Sequence, residues 1–224
     1  MKSVEVYTHL KNLLKEKELS VSVGDEGGFA PNLKTSEEVL DLIILSIERA
    51  GLIYLDDISI ALDCAASELF NKDTYRLTGE NKKYSTEEMI VYIQSLVDKY
   101  EIKSVEDPFD ETDWNAWKTF TNNNKDLQIV GDDIFVTQEK ILTKGIENKV
   151  ANSILIKLNQ VGTLSETMQT ISLAKNNGYK TIISHRSGET EDSFIADLAV
   201  AVDAGQIKTC LLYTSPSPRD FLRS

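Results

Sequence analysis

Two hydrophobic periods alternate along the chain. Residues 2–16 place Val6, Leu10, Leu13 and Leu14 on one helical face. Thr35-Ser36-Glu37-Glu38 opens a second helix, with Thr35 as N-cap, Glu38 as its capping-box partner and Gly51 as terminator. Between those caps Val39, Leu40, Ile43, Ile44 and Ile47 recur at helical spacing. Ser85 and Glu88 repeat the device ahead of Met89, Ile93, Leu96, Val97 and Tyr100. Short apolar runs predict strands at 58–62, 102–105, 127–130, 154–158, 181–184 and, weakly, 206–209. None alternates cleanly, so both faces of each strand are expected to be buried, as in a parallel sheet covered by helices. The lengths between them suit a helix and two loops, which makes a repeated β–α unit. One interval is longer, and its excess is expected in a loop near 71–84.

The polar positions share a register. A charged or titratable residue stands where each strand runs out: Asp63, Glu106, Asp132, Lys157, His185 and Lys208. In a (β/α) barrel the C-terminal strand ends converge on one mouth, where catalytic groups gather. Loops after strands are often charged, which is the bland reading of any one of these residues. Six in register point instead to a common site.

Composition narrows the function. The 224 residues carry 24 Lys and Arg against 36 Asp and Glu, a net charge of −12. That balance argues against a nucleic-acid or anionic-membrane binder, which needs a basic face. No apolar run approaches the roughly 20 residues of a membrane span; Asp197 interrupts the nearest, at 194–202. Residues 1–10 lack the apolar core of a secretory signal. Cys64 and Cys210, without CxxC spacing, indicate neither a disulfide framework nor a zinc site. The expectation is a cytoplasmic α/β protein.

Asp63, Glu106 and Asp132 lie on consecutive units, and three converging carboxylates repel one another. A hard divalent cation resolves this, and all-oxygen ligation favours Mg²⁺, with Mn²⁺ as a substitute. Pairing of each carboxylate with a Lys or Arg is the alternative. Lys157 and Lys208 beside another ammonium and a bound cation would have lowered pKa values, which suits a base; they could equally be counter-ions. Together with a metal they suggest removal of a proton next to a carboxylate. Ser184-His185-Arg186-Ser187-Gly188 leads into a helix starting near 190–192, a place suited to phosphate or simply a capped helix with a surface arginine. A serine-hydrolase reading fails for want of a G-x-S-x-G elbow. Gly24-Asp25-Glu26-Gly27-Gly28 follows no strand and is no nucleotide loop; its glycines could swing a carboxylate over a site, or it is a loop and nothing more.

These stretches closely resemble the enolase (phosphopyruvate hydratase) family. The matching motifs are 23–32 (VGDEGGFAPN), 61–68 (ALDCAASE), 104–109 (SVEDPF) with Trp114 downstream, 131–133 (GDD), 155–163 (LIKLNQVGT), 184–192 (SHRSGETED) and 205–209 (GQIKT), covering about 1–209. A metal-dependent acid-sugar racemase or dehydratase of the wider superfamily would share the carboxylates but not SHRSGETED or GDEGG. The resemblance implies an enolase-type TIM barrel and Mg²⁺-dependent reversible dehydration of 2-phosphoglycerate to phosphoenolpyruvate. It implies Asp63, Glu106 and Asp132 as metal ligands, Lys157 as the base at C2, and Glu26 as the acid that helps the C3 hydroxyl leave. It also implies Lys208 at the substrate carboxylate, Arg186 and Ser187 at its phosphate, and His185 lining the site. A Lys or His base with one or two Mg²⁺ ions is the known pattern of this superfamily.

Both ends depart from the family pattern. Against it, an N-terminal α+β capping domain, the first two barrel strands and a C-terminal helix are missing. Residues 1–209 are thus expected to be a partial barrel domain and 210–224, with Ser-Pro-Ser-Pro, an off-family tail. An unclosed barrel leaves edge strands exposed, so little activity and marginal stability are expected of the chain alone. A truncated, non-catalytic piece with a binding or regulatory role is the competing reading. Family members form homodimers or larger assemblies, and some also occur at the cell surface or are secreted.

Overall fold

A computed structural model describes residues 2–24, 27–186 and 192–209. They divide into two compact units.

The larger unit, Ile60–Ser184 with Ile195–Lys208, is built on a six-stranded sheet. Its strands are β1 (Ala61–Asp63), β5 (Ser104–Glu106), β6 (Gln128–Gly131), β7 (Ser153–Ile156), β8 (Lys180–Ser184) and β9 (Gly205–Lys208), in that spatial order. Every neighbouring pair is parallel. The helices between them are α3 (Thr86–Tyr100), α4 (Trp114–Asn123), α5 (Glu139–Asn148), the short α6 (Leu158–Val161), α7 (Leu164–Asn176) and α8 (Phe194–Ala201). This is a parallel, incomplete α/β barrel whose end strands β1 and β9 do not pair with each other. All six expected strands are present.

The sheet is curled. Gln128 on β6 and Gln206 on β9 stand three positions apart in the strand order, yet each side-chain amide donates to the other's carbonyl oxygen at 2.9 Å. Gln128 Nε2 also donates to Ser104 Oγ on β5 at 3.1 Å. Twist in a parallel sheet makes such closing curvature possible. Val130, Leu155 and Ile182, from three successive strands, form one buried cluster. Phe109 packs edge-on against both Trp117 and Phe120, and all three rings are buried.

The region expected as a loop is instead a small antiparallel sheet of β2 (Phe70–Asn71), β3 (Thr74–Leu77) and β4 (Lys82–Tyr84). Lys72 and Asp73, both at positive φ, make a two-residue hairpin turn. Its strands are only two to four residues long, too short for an apolar alternation to stand out, so the pattern concealed them. Tyr75 anchors this sheet: its buried hydroxyl donates to Asp113 Oδ2 at 3.1 Å and accepts from the Asp110 N–H at 3.0 Å. The α3 capping box forms as expected, with Ser85 and Glu88 satisfying each other's backbone N–H.

The second unit comprises the described residues of Met1–Ser59, His185–Phe194 and Thr209–Ser224. In it α1 (Lys2–Glu16) packs on α2 (Ser36–Arg49), and Leu13, Leu14, Leu40 and Ile47 are buried. Thr35 caps α2 by accepting from the Glu38 N–H, but the Glu38 carboxylate turns to the Lys34 N–H, so the reciprocal half of the expected box is absent. Gly51 follows the helix at φ 72°, the left-handed position expected of it. No described helix is long and apolar enough to cross a membrane.

Phe135 shows how closely the larger unit is packed. Its ring is fully buried, and a Cβ on Gly131 would approach its Cδ2 to 2.5 Å, while one on Gly145 would collide with the other edge. Overfilling such a site costs about 1–3 kcal/mol. Gly145→Ala is therefore expected to lower stability by about that amount, and Phe135→Leu added to it to recover part of the loss. Urea unfolding midpoints of the two variants check this; an unchanged midpoint for Gly145→Ala would contradict it.

Candidate active site

Parallel register puts the C-terminal ends of the strands on one side, so their terminal residues meet. Asp63 and Glu106 are register partners on β1 and β5. Lys208, ending β9, donates from Nζ to Asp63 Oδ2 at 2.7 Å and to Glu106 Oε1 at 2.8 Å. Lys157, just past β7, pairs through Nζ with Asp132 Oδ2. Glu106 and Asp132 are buried, whereas the Asp63 side chain keeps 46% of its exposure. Five of the expected site residues thus share one end of the sheet.

Their electrostatics are tightly coupled. Burial pushes the Glu106 carboxyl up, and the negative charge of Asp63 adds to this; Lys208 pulls it down, leaving it at about 7. Burial alone would lower Lys208, but the charges of Glu106 and Asp63 outweigh it and raise its pKa above the ordinary lysine value. Two carboxylates lie within hydrogen-bond reach of its ammonium and favour the charged form, the arrangement of the counter-ion alternative for Lys208.

Asp107, next to Glu106, is also buried, and burial raises its carboxyl to about 8 against the opposing pull of two backbone donors. Those donors are the N–H groups of Asp132 and Asp133, at 3.0 Å from Oδ1 and 2.8 Å from Oδ2. Asp107 therefore clips the turn that carries Asp132 to the end of β5. Among the described residues, Asp107, Asp132 and Asp133 are the carboxylates that each bring one oxygen within 4.8 Å of the others'. The expected trio of Asp63, Glu106 and Asp132 shares the mouth without forming that tight group. Lys208 draws Asp63 and Glu106 towards itself, while the two backbone N–H groups draw Asp107 inward. Asp132 belongs to both sets.

His185 and Arg186, which follow β8 in the chain, belong to the second unit; His185 is buried at 4% exposure and Arg186 is exposed. Glu26 and Ser187 lie outside the described residues. Sequence reasoning missed Asp107, Thr137 and Gln160 as parts of the site. Asp107 stands inside a quoted motif, so its place beside Glu106 was a usable signal. Gln160 likewise stands inside the quoted 155–163 motif, whereas nothing in the pattern distinguished Thr137; both roles arise from contacts across 20 and more residues of chain.

Fold and site together define a (β/α)-barrel domain with a carboxylate–lysine site at the C-terminal strand ends. A family model described as the enolase C-terminal TIM barrel domain matches residues 1–217. The enolase of Natranaerobius thermophilus is 55% identical over 207 residues, covering 92% of this chain and 48% of its own length. The enolase of Legionella pneumophila strain Lens is 54% identical over 207 residues, covering 92% of this chain and 49% of its own. The chain spans about half the length of these curated relatives. It belongs to the enolase family.

Asp107→Asn tests the clip. An amide can accept through only one of its two heavy atoms, so the buried N–H of Asp132 or the part-buried N–H of Asp133 loses its partner. An unsatisfied buried donor costs about 1–3 kcal/mol, and urea unfolding of Asp107→Asn should show a loss of that order. A midpoint equal to that of the unsubstituted chain would refute the clip.

Proposed function

We propose that the protein to which this chain belongs is a Mg²⁺-dependent enolase that interconverts 2-phosphoglycerate and phosphoenolpyruvate. The observation that carries this is the pairing of Lys157 with Asp132 beside Lys208, Glu106 and Asp63 at one end of the parallel strands. In this reading Lys157 Nζ takes the proton from C2 of 2-phosphoglycerate. Glu26 gives a proton to the C3 hydroxyl, which leaves as water, and the C2–C3 double bond of phosphoenolpyruvate forms. Lys208 holds the substrate carboxylate, Arg186 and Ser187 its phosphate, and His185 lines the site. A homodimer or larger assembly in the cytoplasm is the working form proposed with this chemistry.

The donor set fits Mg²⁺. Asp63, Glu106 and Asp132 offer only carboxylate oxygens, the ligand type a hard cation prefers. Once Lys208 and Lys157 turn to substrate, these carboxylates need another positive partner. The raised pKa of Glu106 supports this, since Lys208 does not fully offset burial beside Asp63. Mg²⁺ held there would supply positive charge for the negative charge that develops on the substrate carboxylate, without which a proton so weakly acidic is not removed.

Calorimetric titration of the purified chain with Mg²⁺ and then 2-phosphoglycerate, together with the absorbance of phosphoenolpyruvate, tests the proposal. Both ligands are expected to bind, and EDTA to abolish product formation. Because β1 and β9 do not close the sheet, turnover by this chain alone is expected to be slow. Lys157→Met should lower it further by about 10²–10⁴-fold, the usual worth of a positioned base, while Mg²⁺ still binds. Binding of neither Mg²⁺ nor 2-phosphoglycerate would end the proposal.

A further inference from the structure

Four residues form a hydrogen-bonded ring that closes through the backbone N–H of Lys157. The Asp132 carboxylate pairs with Lys157 Nζ through Oδ2 and accepts from Gln160 Nε2 through Oδ1, at 3.3 Å. Gln160 Oε1 in turn accepts from Thr137 Oγ1 at 2.8 Å. Thr137 Oγ1 closes the ring by accepting the backbone N–H of Lys157 at 3.0 Å. The threonine hydroxyl gives its proton to the glutamine carbonyl, with the Leu155 carbonyl as a longer second acceptor at 3.4 Å, and the glutamine amide donates to the aspartate. Turning the Gln160 amide over would set its oxygen against the Asp132 carboxylate, so the aspartate fixes the amide's orientation.

The ring is held from outside as well. Thr137 is fully buried, and its carbonyl accepts from Thr170 Oγ1 on α7 at 3.0 Å. Val136 and Thr137 are β-branched yet sit at φ 43° and 56°, in the left-handed region such residues avoid. Strain of this kind persists only where the surroundings over-determine it, and it clusters at functional sites. The Val136 N–H is bound to the Asp132 carbonyl at 2.7 Å, which starts the turn that carries Thr137 back under Lys157.

We infer that Thr137 and Gln160 are positioning residues, which fix the Asp132 carboxylate and the Lys157 amine in one mutual orientation for the reaction proposed above, on which this inference rests. Neither touches substrate in this scheme. Gln160 orients a metal-ligand oxygen, and Thr137 sets both the glutamine and the backbone that carries the base. Partners of this kind, one bond removed from a ligand, typically change metal affinity or activity by about 10–100-fold when removed.

Gln160→Leu, Thr137→Val, Thr137→Ser and the double variant Thr137→Val with Gln160→Leu, all in the full chain, test this. Calorimetric titration with Mg²⁺ alone is the first readout, and kcat with KM for 2-phosphoglycerate the second. Gln160→Leu and Thr137→Val should each weaken Mg²⁺ binding or lower kcat by about 10–100-fold, with KM little changed. Thr137→Ser, which keeps the hydroxyl, should retain most of the function. The double variant should lose no more than the worse single one, because both cut the same ring. Gln160 is only half-buried, so Gln160→Leu keeps the test open should Thr137→Val fail to fold. Mg²⁺ binding and kcat in Gln160→Leu equal to those of the unsubstituted chain would overturn the inference and leave the functional reading intact. An unsubstituted chain that neither binds Mg²⁺ nor turns over substrate would overturn both.

Discussion

The parallel register of six strands is the constraint on which the site depends. It sends every C-terminal strand end to the same side, and a parallel sheet has no other way to collect five charged side chains from segments so far apart in sequence. Curvature then completes what register begins. Lys208 on β9 reaches Asp63 and Glu106 on β1 and β5, although β9 and β1 are opposite end strands of the sheet. At the other end of the strands, the paired amides of Gln128 and Gln206 span the same curve with neutral groups. One end of the curled sheet is thus charged and chemical, the other polar and structural.

Gathering so many carboxylates is costly unless each is answered. Lys208 answers two, Lys157 answers Asp132, and Asp107 is answered by two backbone N–H groups. The answers differ in kind. An ammonium on a long side chain can leave for a substrate, whereas a backbone N–H stays where its strand holds it. Asp107 is therefore suited to fix the turn, and the lysines are suited to the proposed reaction. The ring through Thr137 and Gln160 adds a second, neutral means of orienting Asp132, one that does not depend on the lysine's charge.

The helices and the central strands were legible because burial imposes a period on them. α2 and α3 begin at their expected N-caps, α2 ends just before Gly51, and the six apolar runs are the six strands of the parallel sheet. The hairpin sheet of β2, β3 and β4 was not legible, since a two-residue turn and strands of two to four residues leave too short a stretch for alternation to show. In the site, Asp63, Glu106, Asp132, Lys157 and Lys208 announced themselves by standing at strand ends. Which carboxylates Lys208 would meet did not, because that depends on the curl of the sheet that brings β9 back to β1 and β5.

Read alone, the chain determined the repeated β–α unit, the residues delivered to the mouth and the family they resemble, because burial periodicity and motif spacing are local properties of the polymer. Only the tertiary structure decided which carboxylate each lysine meets, that Asp107 rather than Glu106 clusters closely with Asp132, and that Thr137 and Gln160 link Lys157 to Asp132. Those outcomes turn on distances of 2.7–3.3 Å between groups on different strands and helices. Such distances follow from sheet curvature and side-chain packing, which no local pattern encodes.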